Sequence, residues 1–394
     1  MEGGQFLVVG GGLAAQAAVQ AIRETDQTAS ITVLSNEADP PYSRPPLSKS
    51  LWKGQPLDSI WLPLDSATRA HLNTDIATLD PSRKTVTSAT GEVFGYDKLL
   101  LATGGSPRRL KDSDPSVIYF RRLDDFRQVR ELASRGSEFA VIGGGFIGPE
   151  IAAALAMSDC KVSLFLSGDC IGERLFPRPL ANFLNLHFRK HGVDVRFSER
   201  VRGVERERDK LVVHSGGDGA GLAVDAVIAG IGIDPDTALA KAAGLEVSDG
   251  IVVDEHLRTS DPDIFAAGDV ANFPCPALQR RIRIEHEDNA AAMGHAAGCN
   301  MTGKSEPYRH LPYYYSDLFD LGYEAVGELD SRLEIIEDWE AKFRKGVIYY
   351  LKDKQVRGVL LWNTFGMVDA ARDLIGSRRQ VPARSLVAQA RRAL

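Results

Sequence analysis

Two stretches of the chain repeat one order of apolar and small positions. Phe6 to Val9 is an apolar run that enters Gly10-Gly11-Gly12-Leu13-Ala14-Ala15; an alanine-rich segment and a second apolar run, Ile31 to Leu34, lead on to Glu37. Phe139 to Ile142 likewise enters Gly143-x-Gly145-x-x-Gly148, followed by a helix-forming segment and another apolar run from Val162. Short apolar runs bounded by glycine read as buried strands, and the longer alanine-rich segments read as helices. Two further runs close on small residues. "KLLLATGGSPR", from Lys98 to Arg108, turns at Thr103-Gly104-Gly105, and "PDIFAAGDVANF", from Pro262 to Phe273, ends a strand on Gly268-Asp269. Late in the chain, strand candidates lie near Ile335 and Val347. The pattern predicts an α/β protein with two Rossmann-like dinucleotide-binding domains and a small α+β domain at the end.

Strand, glycine turn, helix, strand and acid is the setting in which a G-x-G-x-x-G/A motif binds a dinucleotide. In the first copy Gly10 makes the tight turn, Gly12 lets the backbone approach the pyrophosphate, and Ala15 permits close helix packing. The helix N-terminus faces the phosphates, and Glu37 is placed to accept from ribose hydroxyls. In the second copy Gly143, Gly145 and Gly148 take the same places. A flavin bound near the N-terminus and a nicotinamide nucleotide bound by an inserted domain is the economical reading. A duplicated unit that binds a single ligand is the alternative. Thr103-Gly104 offers another close backbone approach. Asp269, at a strand's carboxyl end, suits either ribityl hydroxyls or a helix N-cap.

Between these motifs, residues 39–49 read "DPPYSRPPLSK", with four prolines beside Arg44 and Lys49. Proline fixes φ and removes a backbone donor, so this is a stiff loop rather than an interior helix or central strand. Such a loop holds cations in place at little entropic cost, which suits a site; a surface turn with solvated cations is the other reading.

Composition narrows the class. The 394 residues exceed one ordinary core, and 44% hydrophobic with 25% charged residues is globular composition. No apolar run approaches the ~18 residues of a membrane span. "MEGGQFLVV" carries no basic region ahead of its apolar run, so no export signal is expected. Four cysteines without regular spacing point to a reducing compartment, the cytoplasm by default. A net charge of −6 gives no reason to expect nucleic acid. No metal site is expected.

Together "PYSRPPLSKSLW", "LATGGSPR", "GGGFIGPE", "FAAGDVA", "RIEHEDNAAAMG", "YSDLFDLGYEAVGELD" and "GVIYYLKDKQVRGVLLWN" resemble the pyridine-nucleotide-disulfide oxidoreductase superfamily. Within it they are most similar to the branch of apoptosis-inducing factor and bacterial ferredoxin and rubredoxin reductases. The likeness covers nearly the whole chain. It implies glutathione-reductase-like FAD and NAD(P) domains, with hydride passing from NAD(P)H to FAD and electrons to an external acceptor. Animal members carry a long insertion in the last domain that is absent here, which favours a bacterial-type enzyme. The resemblance places Arg44 near the flavin phosphates, Lys49 near the isoalloxazine ring, and Glu150 as the carboxylate partner that links Lys49's domain to its own. A fixed cation stabilises the negative charge that develops as a flavin is reduced. A glutamate favoured by the helix dipole is the plainer reading of Glu150. Phe146 matches an aromatic that shields the flavin, Glu324 a residue that reaches the nicotinamide carboxamide, and Glu285 and His286 a helix near the flavin ring. Tyr315 stands where relatives have tryptophan, and Glu287 replaces an aromatic after the histidine.

The second motif lacks the usual acid after its strand, where Ser167-Gly168-Asp169 stands instead. Arg174 is either a partner for a 2′-phosphate or a solvated helix charge, and the balance favours NADH. Disulfide reductases need cysteines beside the flavin in the first domain, but here the first cysteine is Cys160, with Cys170, Cys275 and Cys299 after it. An outside acceptor is therefore expected, in this branch a small acidic iron–sulfur protein. Arg280, Arg281 and Arg283 either steer such a partner or form a solvated strand face. The C-terminal "SRRQVPARSLVAQARRAL" reads as a basic amphipathic cap on the last domain. The expected layout is an FAD domain at 1–112 and 244–312, an NAD(P)H domain at 113–243, and a C-terminal domain at 313–394, as a monomer or homodimer. The alternative function is a redox-responsive interaction protein of the apoptosis-inducing-factor kind, with slow NADH oxidase or quinone reductase activity.

Overall fold

The computed structural model describes residues 4–111, 113–216 and 221–380. The chain runs β1 (Gln5–Val9), α1 (Leu13–Thr25), β2 (Ser30–Leu34), β3 (Arg69–His71), β4 (Lys98–Leu101), β5 (Phe139–Ile142), α2 (Ile147–Met157), β6 (Val162–Phe165), α3 (Arg178–Lys190), β7 (Asp194–Arg196) and β8 (Ala226–Ala229). It continues through β9 (Ile264–Ala266), α4 (Glu287–Met301), β10 (Tyr313–Leu318), β11 (Leu321–Gly327), β12 (Glu334–Ala341), β13 (Lys345–Lys352), β14 (Gln355–Trp362) and α5 (Val368–Ser377), with short turns and strands between. Two compact units result. One gathers the residues up to Ser43, Leu57–Ser106 and Asp234–Tyr313; the other gathers Arg44–Pro56, Pro107–Ile233 and the residues from Tyr314.

The first unit is built on a parallel sheet in the order β9-β4-β1-β2-β3. Its central strand pairs Val9 with Leu34 on one side and Leu101 on the other, so three strand ends meet where the glycine turn begins. The strands are continuous apolar runs because both faces of such a sheet are covered. One cover is the pair α1 and α4, packed through small residues: a Cβ on Gly294 would lie 2.2 Å from the Ala14 carbonyl oxygen, and one on Gly298 2.4 Å from that of Ala18. Glycine is required at both positions because the opposing atoms are backbone and cannot move aside.

The second unit repeats the motif in a parallel sheet ordered β7-β6-β5-β8. All four residues of β5 are buried. The same unit holds a five-stranded sheet ordered β10-β11-β14-β13-β12, in which β12 and β13 form the antiparallel pair anticipated near Ile335 and Val347. The second half of the proline loop, from Arg44, belongs here too. It folds as two short 3-10 turns, Pro45–Ser48 and Ser50–Lys53, with prolines in the first turn where a missing N–H costs nothing. Leu47, Leu51 and Trp52 are buried, and Trp52 packs edge-on against Phe126. The basic C-terminal cap falls mostly outside the described residues.

Candidate functional site

Both glycine turns have the same internal logic. Gly10 has φ +127°, and a Cβ there would sit 2.0 Å from the Ala102 carbonyl oxygen. Gly143 has φ +124°, with the Gly230 carbonyl oxygen 2.2 Å from its notional Cβ. These glycines are fixed by the protein itself. Gly12 and Gly145 are different: a Cβ at either meets nothing within 4 Å. No protein atom demands glycine there, and the open space beside each backbone is what a closely approaching pyrophosphate needs. The third position is a buried Ala15 in the first turn and Gly148 in the second, where a Cβ would meet the Gly143 carbonyl oxygen at 2.0 Å. A dinucleotide therefore suits both turns.

Around the first turn the structure gathers most of the anticipated residues. Glu37, half-buried past β2, accepts from the Tyr42 hydroxyl at 2.6 Å. Thr103 donates its hydroxyl to the Asp236 carbonyl oxygen at 2.8 Å, and Gly104 has φ +69°. Gly268, beside Asp269, packs so closely on α1 that its Cβ would be 3.1 Å from that of Ala14. The N-terminus of α1 thus lies at the carboxyl ends of β1, β4 and β9, where α/β sheets bind ligands, and α4 runs alongside that helix. His286 is the N-cap residue of α4. Glu285 pairs with Arg283 at 2.6 Å, and Arg283 also donates to the Asp269 carbonyl oxygen. Glu287, which replaces an aromatic, accepts from Ser43 Oγ at 2.5 Å.

The arginines of this run differ in their surroundings. Arg283 is only 9% exposed in its side chain and bridges Asp249 and Glu285, while Arg281 donates to Asn272 and to the Val253 carbonyl oxygen. Arg283 is therefore neutralised within the protein, whereas Arg281 is exposed and its partners are neutral.

In the second unit Lys49 meets Glu150. Lys49 Nζ lies 2.7 Å from Glu150 Oε2, with the carboxylate side chain 1% exposed. Glu150 also accepts from Ser48 Oγ and from Ser316 Oγ, each at 2.6 Å. A carboxylate so deeply buried survives as an anion only with such partners. Its position in the first turn of α2 adds the helix dipole, but the side chain is buried rather than on the helix surface, as the plainer reading had it. Lys49 and Glu150 fall in the same compact unit. Tyr315, 36% exposed, lies under the ammonium, with 5.2 Å from Nζ to its ring centroid. Ser48 and Ser316 were not anticipated. Each lies inside a quoted motif, Ser48 in the proline loop and Ser316 in "YSDLFDLGYEAVGELD", but neither motif assigns it a role. Arg44, half-buried, donates to the Arg121 carbonyl oxygen at 3.0 Å.

Phe146, the residue that opens α2, stands edge-on to Tyr314 at 5.1 Å between ring centroids. Glu324 on β11 has a buried Oε2 with no hydrogen-bond partner in the protein. Burial raises its carboxyl above the ordinary range, and a backbone N–H at Gly366 offsets this only in part. An orphaned acceptor of this kind suits an amide NH₂ such as a nicotinamide carboxamide. At the end of β6, Asp169 accepts from Ser198 and pairs with Arg178, which also lies 3.5 Å from Glu173. The Glu173 carboxylate fills the space over Gly168, 1.9 Å from where a Cβ would be. Sequence reading missed Glu173, because its approach to Gly168 depends on the path of the loop.

Comparison with known proteins agrees with this arrangement. The family described as pyridine nucleotide-disulphide oxidoreductase matches residues 4–294, and the apoptosis-inducing factor C-terminal family matches residues 297–342 and 334–377. Apoptosis-inducing factor 1 of Dictyostelium discoideum is 33% identical over 96% of this chain and 79% of its own length. Putidaredoxin reductase of Pseudomonas putida is 32% identical over 90% of this chain and 87% of its own. A crystal structure of a covalent putidaredoxin reductase–putidaredoxin complex superposes with a TM-score of 0.90 at 30% identity, covering 98% of this chain and 99% of that one. With two dinucleotide cradles in place and these likenesses running the length of the chain, it belongs to the pyridine nucleotide-disulphide oxidoreductase family, as an FAD-dependent NAD(P)H oxidoreductase of the ferredoxin reductase and apoptosis-inducing factor branch.

Proposed function

We propose that this enzyme delivers electrons from NAD(P)H to a small acidic iron–sulfur carrier of the ferredoxin or rubredoxin type, in a reducing, cytoplasmic setting. FAD, when bound, accepts the hydride and passes electrons onward. The residues proposed to hold it are Gly10, Gly12, Ala15, Glu37, Arg44, Thr103, Gly104, Asp269, Glu285 and His286, in a domain spanning 1–112 and 244–312, with Tyr315 from the 313–394 domain. The nucleotide falls to residues 113–243 through Gly143, Gly145, Phe146, Gly148 and Gly168, with Glu324 from the 313–394 domain orienting its carboxamide.

The observation that carries the reading is the buried Lys49–Glu150 pair. Lys49 keeps a cation at a fixed point, and Glu150 with its two serine partners holds that lysine in one rotamer. Glu150 also tempers the lysine's charge, so the pair sets how strongly negative charge is favoured nearby. The acceptor is external because no cysteine pair exists: Cys160, Cys170, Cys275 and Cys299 are all free thiols, and three are buried. Glu173 over Gly168 places negative charge beside β6, which favours NADH over a nucleotide bearing a 2′-phosphate. Steady-state turnover with a panel of ferredoxins and rubredoxins tests the proposal; turnover limited to dyes and oxygen overturns it. The C-terminal match to apoptosis-inducing factor favours a second reading, a redox-responsive interaction protein. A long-lived reduced flavin–nucleotide complex with a monomer–dimer change on reduction would identify that case.

A further inference from the structure

His187 lies in the last turn of α3 and His191 is the residue that caps the helix, four residues on and therefore on the same face. Opposite them is Asp320, in the two-residue turn between β10 and β11. His187 is 3% exposed in its side chain, and its Nε2 lies 2.8 Å from Asp320 Oδ1. Apart from this ion contact, Nε2 is a buried polar atom without a hydrogen-bond partner. His191 Nδ1 lies 2.9 Å from the His187 carbonyl oxygen. A carbonyl only accepts, so Nδ1 carries the proton and the Nε2 lone pair is left free. Ligating histidines are commonly oriented by a bond of this type.

The surroundings fix these groups. Phe319 stacks on His191 at 4.2 Å between centroids, Phe183 stacks on His187, and Arg344 Nη1 holds the other Asp320 oxygen at 3.0 Å. Phe319 has φ +63°, a left-handed conformation that a bulky residue rarely adopts and that such turns usually assign to glycine. The turn keeps phenylalanine there, and with it the stacking on His191 and the position of Asp320.

We propose that His187, His191 and Asp320 form a site for one divalent cation of the zinc class. Two imidazole nitrogens and one carboxylate oxygen, with water completing the shell, are a donor set for zinc rather than for magnesium or calcium. One ligand atom from each residue already lies within 4.8 Å of the others. Tetrahedral zinc bonds of about 2.0–2.1 Å require ligand atoms about 3.3 Å apart. Closing from the present spacing to that one takes side-chain rotations of His191 and Asp320, the two exposed members of the set. The ion would tie α3 to the β10–β11 hairpin, which carries Ser316 and Glu324. It would thereby stabilise the folded chain by mass action.

The test uses the full chain as isolated, stripped with a chelator, dialysed and titrated with zinc chloride by calorimetry. One saturable site per chain is expected, with cobalt chloride giving the visible absorption of a tetrahedral ion and magnesium failing to compete. His191→Gln and Asp320→Asn are both at exposed positions and keep the fold. Each should weaken zinc affinity by about 100-fold and abolish the zinc-dependent rise in melting temperature. No saturable binding below about millimolar zinc, or equal binding by the wild type and both variants, overturns the assignment.

Discussion

The turn between β1 and α1 and the turn between β5 and α2 superimpose in logic down to their anchors. In each, an aspartate just before the neighbouring strand accepts from the backbone N–H that starts or precedes the central strand. Asp97 takes the Gln5 N–H and Asp225 the Glu138 N–H, both at 2.8 Å. In each, the first glycine is locked by a carbonyl and the second faces open space. The two diverge just outside this frame. The first turn has its acid directly after the second strand, at Glu37, whereas the second has Gly168 there and receives Glu173 from the following loop. The first helix buries alanines against α4; the second buries Glu150, a charge. The frame that shapes a dinucleotide turn is thus duplicated, while the groups that choose the ligand and tune its chemistry are specific to each copy.

The sharpest way to break the likeness is at the glycines. Gly10→Val and Gly143→Val drive a side chain into backbone and should leave little folded protein. Gly12→Val and Gly145→Val should keep the melting temperature of the ligand-free chain. Gly12→Val should lose the flavin absorbance, and Gly145→Val the affinity for NAD(P)H. Thermal melts, flavin content and nucleotide titration separate the four.

Lys49→Ala should retain flavin yet slow reduction by NAD(P)H by about 10²–10³, the usual cost of one preorganised electrostatic contact. Glu150→Gln keeps the shape around Ser48 and Ser316 while unmasking the lysine, so it should move the flavin potential in the opposite sense. Stopped-flow reduction and redox titration measure both; wild-type rate and potential in both variants would reduce the pair to a structural tether.

The third contrast is the ribose acid. Gly168→Glu requires only that the tip of the Glu173 side chain move, and it should raise the NADH-to-NADPH ratio of kcat/KM several-fold. Glu173→Gln should lower that ratio by a similar factor, about 10-fold at most. If neither substitution changes the ratio, specificity is read elsewhere.

The smallest effect tests the shared frame itself. The Asp225 carboxyl is held below the ordinary range by the Glu138 backbone N–H and then by Lys210. Its contribution is complete above the unfolded carboxylate value of about 3.9 and disappears as pH falls through the lower folded value. Asp225→Asn should cost about 1 kcal/mol at neutral pH and nothing below both values. Asp97→Asn should match it at neutral pH if the two anchors are equivalent, as denaturant titrations at several pH values would show.

Much of this was legible in the residues because it depends on local order. An apolar run, a glycine turn and an alanine-rich helix declare themselves within about thirty residues, since backbone geometry admits few other readings. Spacing alone singled out Gly12 and Gly145, the two positions whose backbones face open space. The loop's stiffness came from its prolines, and the pairing of Lys49 with Glu150 from a family resemblance. Other features needed the folded chain. The Ser316 bond to Glu150 spans 166 residues, and the Asp320 contact with His187 spans two domains of the expected layout. Glu173 lies over Gly168 only because its loop doubles back, and Arg283 is spent on Asp249 and Glu285 only because the strands place them there. Spacing along a chain fixes which residues share a turn or a helix face. Which distant side chains then become one another's solvent is decided by packing, because a buried charge or lone pair takes its partner from whatever the tertiary structure brings within about 3 Å.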